Sequence, residues 1–393
     1  MSASGRLSLQ VGVGGELIQF EVSVEAGELY RRSSVMLSGC VQYGWPHARG
    51  THFYVVSSDG GPPGAGGRGG NHHLLSAFRI DPASGRLSLL AEPVRLRHRP
   101  IHVSTDIPSE HALVAYNDPS GLSVHRIRSD GSLGEEIAQP AVTDRGSYAH
   151  QIRVFPSNRK LVLVTRGHDA GSGHEEIPGA LKVFDYQAGI LDNEQSIAPG
   201  GGYGFGPRHL DFHPTRPWVY VSLERQNKLQ MFRSDGDRIR PTPVLSRDTL
   251  AFPDNKRPRQ MAGTVHVHPS GRFVYGAERS EHTEIEDGRP VFVGGENAIL
   301  VFAIDPETGE PSLIQREPTR GLHPRTFSID PSGRLLIAAN KSPVPVRKDG
   351  AVREISAGLD MFRIGEDGRL AFIRTYEVDA SKEPMFWSGL VRY

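Results

Sequence analysis

Ionisable side chains stand where a β core would ordinarily take aliphatic ones. In YAHQIRV, GPRHLDFHP, TVHVHP and HPRTFSIDP these are His150, Arg208, His209, His266, His323 and Arg325. A second set closes apolar runs: Asn117, Arg166, Glu224, Arg279 and Lys341. A histidine titrates near neutral pH without help, so His150 suits general acid–base work. A glutamate reaches that range only when its surroundings tune it, which makes Glu224 the alternative base. Arg208 and Arg279 offer rigid forks that grip a carboxylate or phosphate and stabilise a developing oxyanion. Charges beside a core are costly unless paired or solvated, so together these residues imply a water-filled pocket for an anion. Plainer readings stay open for single residues. Arg208 can tie blades together through Glu224, His209 and His266 can be hydrogen-bonded core histidines, and Asn117 can be the turn residue of NDPSG.

The elements that must carry these residues follow from a repeat. The phrases FEVSVEAGEL, AFRIDPASGRL, VHRIRSDGSL, VFDYQAGIL, MFRSDGDRI, VFAIDPETGEP and MFRIGEDGRL each read as two short strands around a glycine turn. The turn glycines are Gly27, Gly85, Gly131, Gly189, Gly236, Gly309 and Gly368, on average about 57 residues apart. All but the first copy follow a second phrase, clearest in LDFHPTRPWVYV, VHVHPSGRFVYG and FSIDPSGRLLIA, which reads as strand, proline turn, strand. Four strands in that length make one propeller blade. The expectation is an all-β, seven-bladed β-propeller of four-stranded antiparallel blades, one domain over residues 1–393.

The chain begins inside a blade, with SLQVGVGG and ELIQFEV, and ends on an orphan strand, Met385–Val391. That strand is expected to become the innermost strand of the N-terminal blade and close the ring without free edges. In such a meander the loops between second and third strands share a face with the starts of the first strands. Four are long: Asp59–His73, Arg166–Ala180, Arg279–Asn297 and Lys341–Gly358. Long loops on one face suit a lid or specificity elements. His213 and His268, in the opposite turns, are expected to be structural.

Composition narrows the partners. Lysine plus arginine and aspartate plus glutamate each number 45, so no bulk positive field exists for nucleic acid or a membrane surface. No apolar run is long enough to span a bilayer, and the N-terminus lacks an apolar signal core. Cys40 is the only cysteine, which excludes an internal disulfide and a cysteine zinc site and fits a reducing cytoplasm. It has no evident base partner, so it is not read as a nucleophile. The clusters His168, Asp169, His174, Glu175, Glu176 and His72, His73 lack metalloprotease spacing and sit in glycine-rich loops, so no metal or other cofactor is expected. The glycine runs near Val11–Gly15 and Gly200–Pro207 do not lead from strand to helix, as a nucleotide loop requires.

GPRHLDFHP, the glutamate ending the next strand, HPRTFSIDPSGRLLIAANKS and the closing PMFW resemble the seven-bladed propeller lactonase family. That family includes the bacterial propeller-type 6-phosphogluconolactonase and the fungal 3-carboxy-cis,cis-muconate lactonizing enzyme. The resemblance implies a metal-independent channel site in which His150, Arg208, His209, Glu224 and Arg279 are functional and Arg325 supports them. His323, Asn117 and Lys341 complete the expected substrate contacts. The expected activity is hydrolysis of a small anionic lactone, of a sugar acid or a related carboxylated or phosphorylated compound, by a monomer or weak homo-oligomer. Two alternatives remain: a muconate-type cycloisomerase and a non-catalytic propeller that binds a ligand or protein.

Overall fold

A computed structural model describes residues 5–61, 70–140, 144–171 and 173–393. Its strands form seven antiparallel blades. Blade I holds Leu7–Val13, Glu16–Ser23 and Glu28–Met36, with Met385–Arg392 as its inner strand. The other inner strands are Cys40–Pro46, Pro100–Thr105, Ala149–Val154, Pro207–Phe212, Met261–Val267 and Pro324–Ile329, for blades II to VII. Met385–Arg392 pairs antiparallel with Leu7–Val13, so the expected closure of the ring is found.

Seven apolar clusters, one between each pair of neighbouring blades, hold the ring together. The period-2 alternation of a strand produces them. In blade III, Leu113 and Ala115 face blade IV, while Ala112, Val114 and Tyr116 face blade II. In blade IV, Leu161 and Leu163 pack toward blade III, and Val162 and Val164 toward blade V. Both faces of a blade are therefore buried, which is why its middle strands are apolar throughout.

The seven turn glycines all adopt positive φ. At Gly309 the reason is also close approach, since a Cβ there would stand 2.4 Å from Met231 and 2.5 Å from Trp218 of the preceding blade. Tyr220 of that blade donates its hydroxyl to the Gly309 carbonyl at 2.7 Å. His213 and His268 are structural as expected. Their Nε2 atoms lie 2.9 and 2.8 Å from the carbonyls of Gly271 and Gly333 in the next blade.

Every inner strand is bulged where it begins. Against the neighbouring strand, Gln42, Ile101, His150, Arg208, Arg325 and Phe386 are each one extra residue, and in blade VI the irregularity spans Gly263 and Thr264. A bulge leaves one residue out of the ladder and re-aims its side chain. Seven bulges at the same level form a rim around one mouth of the channel.

Two of the four long loops are not irregular. Thr283–Glu286 pairs with Arg289–Phe292, and Val344–Lys348 with Ala351–Ile355. The two hairpins lie against each other, and Arg347 Nη2 sits 2.7 Å from Glu286 Oε1. In the Asp59–His73 loop, residues 62–69 lie outside the described residues.

Candidate active site

The rim borders a cleft of about 840 Å³. His150, Glu224, Arg279, Arg325, His323, Asn117 and Lys341, expected from the sequence to form the site, all border it. Eight lysines and arginines and five carboxylates line it, a surplus of three positive charges in a chain with no net charge. Such focusing draws anions to the mouth.

Arg208 and His209 correct the expectation. Both are 2% exposed and lie beneath the cleft without bordering it. Arg208 Nε is 2.9 Å from Glu224 Oε1, an ionic contact in which the N–H does not point at the oxygen. His209 packs edge to face on His150, ring centroids 5.2 Å apart, and its Nδ1 lies 3.4 Å from Arg208 Nη1. The bulge makes Arg208 the unpaired residue, but the space it enters is the floor of the site.

Glu224, 3% exposed, anchors three arginines. Arg166 Nη1 donates to its Oε2 and Arg279 Nη2 to its Oε1, with Arg208 behind. Burial alone would raise the Glu224 carboxyl, but Arg166, Arg279 and Arg208 outweigh it and hold the group well below the usual carboxylate range. A carboxylate held so firmly ionised is a weak proton acceptor, so the geometry does not support Glu224 as the base. Arg279 also meets His323, Nη1 to Nε2 at 2.8 Å, and His323 Nδ1 stands 3.4 Å from Glu281 Oε2. Lys341 Nζ is 2.9 Å from both oxygens of Glu281. Asn117 ends its strand, and its Oδ1 is buried without a partner among the described residues.

His150 is 7% exposed, and neither ring nitrogen has a hydrogen-bond partner among the described residues. Burial, then the fields of Arg208, Arg166, Arg325 and Arg279, push its pKa well below the ordinary histidine value. The ring is therefore neutral at neutral pH, with a free lone pair.

Sequence reasoning missed several residues here. Tyr148 lies under Arg166, whose guanidinium carbon is 4.1 Å from the ring centroid. Arg99, Gln42 and Phe386 also border the cleft. Arg99 stands just before proline at the head of an inner strand, a place like that of the noted residues, and that was its one signal in the sequence. The loop carboxylate Asp169 is held by Arg225 at 2.6 Å. Among the described residues the one group with metal-ligand spacing is Asp106, Glu110 and His111, in the opposite turn of blade III. Asp106 there already accepts the backbone N–H groups of Glu110 and His111, and Tyr186 donates to it.

A seven-bladed propeller with a cationic cleft at one mouth of its channel is the class that fold and site define. The chain belongs to the family described as lactonase, 7-bladed beta-propeller, whose sequence profile matches residues 8–346. It is 28% identical over 336 residues to a 6-phosphogluconolactonase of Bacillus subtilis (strain 168), covering 83% of this chain and 84% of that protein. A 6-phosphogluconolactonase of Serratia proteamaculans (strain 568) is 24% identical over 371 residues, 94% of each chain. Among solved structures, a periplasmic gluconolactonase of Pseudomonas aeruginosa superposes with a TM-score of 0.71 at 22% identity, covering 98% of this chain and 99% of that one.

Proposed function

We propose that the protein is a lactonase that hydrolyses an anionic sugar lactone in the cleft. The observation that carries the reading is His150, a neutral imidazole without a hydrogen-bond partner, standing at the rim among arginines. The named activity of the relatives supports it.

In this reading water attacks the lactone carbonyl while His150 takes its proton. Arg166 and Arg279, fixed by Glu224, face the oxygen that becomes negative. The ring C–O bond then breaks, and the imidazolium returns the proton to the departing alkoxide. The products are a hydroxy acid and the unchanged enzyme. Glu224 is a positioning residue that orients the arginines. Arg208 and His209 support the rim from below. The relatives are named for hydrolysis, so the lactonising direction is not favoured. The sole cysteine supports a cytoplasmic setting, which cell fractionation would test.

The test is acid release at constant pH from 6-phosphoglucono-δ-lactone and glucono-δ-lactone by the purified protein. His150→Ala should lower turnover by roughly 10²–10⁴. If neither lactone is hydrolysed above the spontaneous rate, a non-catalytic binding propeller replaces this reading.

A further inference from the structure

Three inner strands are entered through a residue of positive φ, two places before the bulge. These are Tyr148 in blade IV (φ 55°), Gly206 in blade V (φ 46°) and His323 in blade VII (φ 55°). Their carbonyls do the same work. Each accepts the backbone N–H of the residue that follows the second strand of its own blade: Arg166 at 3.0 Å, Glu224 at 3.1 Å and Lys341 at 3.2 Å. The backbone here therefore asks only for a left-handed conformation, which glycine adopts freely and blade V supplies with Gly206. A tyrosine in that conformation is an outlier, and a histidine is uncommon. A strained residue beside a cleft points to a use for its side chain.

The side chains show what that use is. Tyr148 and His323 both border the cleft and are 8% and 2% exposed. The Tyr148 ring lies under Arg166, its centroid 4.1 Å from the guanidinium carbon. His323 Nε2 lies 2.8 Å from Arg279 Nη1. Arginine has no acceptor, so the imidazole accepts in this contact. Burial, then the fields of Arg279, Lys341, Arg325 and Arg208, hold His323 well below the ordinary histidine value, so the ring is neutral and Nε2 is free to accept. Its proton then sits on Nδ1, 3.4 Å from Glu281 Oε2, a carboxylate that favours this tautomer.

Arg166 and Arg279 also donate to the two oxygens of Glu224. Each is thus held twice, by the shared carboxylate and by a left-handed residue of blade IV or VII. Arg208, the third guanidinium on Glu224, lies beneath the cleft, and its own blade carries glycine at this place.

We infer that Tyr148 and His323 are positioning residues that aim Arg166 and Arg279 at the lactone carbonyl oxygen, Tyr148 through its aromatic face and His323 through a hydrogen bond. This rests on the lactonase reading and names what holds its two anion-stabilising donors. Such donors work by being fixed before charge develops, so loosening them acts on turnover more than on substrate binding.

The experiment measures hydrolysis of glucono-δ-lactone and 6-phosphoglucono-δ-lactone by Tyr148→Asn and His323→Asn. Asparagine tolerates positive φ, so the backbone keeps its course while the ring face or the acceptor is lost. Each substitution should lower kcat about 10- to 100-fold and change KM by less than about 3-fold. Tyr148→Phe keeps the face, and His323→Gln brings an amide oxygen to the place of Nε2, so both should retain most of the turnover. If an asparagine variant does not fold, Tyr148→Leu or His323→Leu, which fills the space without a face or an acceptor, takes its place. Turnover within about 3-fold of wild type in the asparagine variants, losses confined to KM, or Tyr148→Phe as impaired as Tyr148→Asn would overturn the proposal. Crystal structures of the variants form an arm that needs no turnover. Arg166 should leave its place on Glu224 in Tyr148→Asn, and Arg279 in His323→Asn. Unmoved guanidiniums would refute the positioning role. Displaced ones in a protein that hydrolyses neither lactone would uphold it and overturn only the lactonase reading.

Discussion

Arg208 Nε lies 2.9 Å from Glu224 Oε1, and neither side chain is more than 4% exposed. With Arg166 and Arg279 on the same carboxylate, one negative charge serves two guanidiniums that line the cleft and one beneath it. Glu224→Gln should therefore act first on stability. Removing one partner from a buried ionic group costs about 3–5 kcal/mol. Denaturant unfolding should show that loss, with activity falling because Arg166 and Arg279 are no longer aimed. An intact stability with a large fall in kcat would restore Glu224 as the base.

The same carboxylate sets an acid limit. Its folded pKa is depressed below the ordinary value of about 4.3. Its contribution is present above that value and is lost as pH falls below it. Melting temperature should drop below about pH 4 more steeply in wild type than in Glu224→Gln.

Glu278 has the opposite sign. It is fully buried, with Thr249 donating to Oε1 and Gln260 to Oε2 at 3.1 Å. Burial raises its carboxyl to about 7 against those hydrogen bonds, and Glu296 adds to the lift. A folded pKa above the unfolded one gives stability that is present below about pH 4 and lost as pH rises through 7, on the order of 3 kcal/mol. Melts of Glu278→Gln across pH 5–8 should lack the decline that wild type shows. Parallel curves would mean that the group does not titrate there.

His150 should show two different acid limbs. In the free enzyme, burial and the arginine field keep its pKa below 6.5, so kcat/KM should hold to lower pH than an ordinary histidine allows. A bound anion offsets part of that field, so the limb in kcat should sit at higher pH. Profiles with coincident limbs near 6.5, or limbs that survive His150→Ala, would assign the proton transfer elsewhere.

Closure of the ring depends on Met385–Arg392, which buries Met385, Trp387 and Val391. Deleting residues 383–393 leaves Leu7–Val13 as an exposed edge and should cause aggregation. Trp387→Ala is the milder probe, costing about 3–5 kcal/mol in a denaturant titration. A truncated protein that stays soluble and melts near the parent temperature would refute the role of this strand.

Much of this architecture is legible in the sequence because it is written in local terms. Positive φ at the turn glycines, proline turns and alternation are properties of short segments, and they specify strands, blades and closure. The cleft is less legible. Arg208 and His209 are neighbours of His150 in kind and position, yet a one-residue bulge and the packing of three inner strands decide which side chain meets solvent. Glu224 follows one second strand and Glu278 is the last residue but one of another, but the first meets three arginines and the second meets Thr249 and Gln260. Those partners come from loops and blades far away in the chain, so only the assembled ring shows them.

The rim of bulges separates two jobs that most β-sheets merge. Each bulge residue stands outside its ladder, while the residues on either side keep both registry and inter-blade packing. Side-chain identity at Gln42, His150 or Arg325, which belong to no apolar cluster, is therefore free to change one blade at a time, whereas Ile101 and Phe386 also pack into the cluster between blades III and IV. The mouth of the channel acts as a dial with a few settings, on which a new specificity can be composed by exchanging single letters.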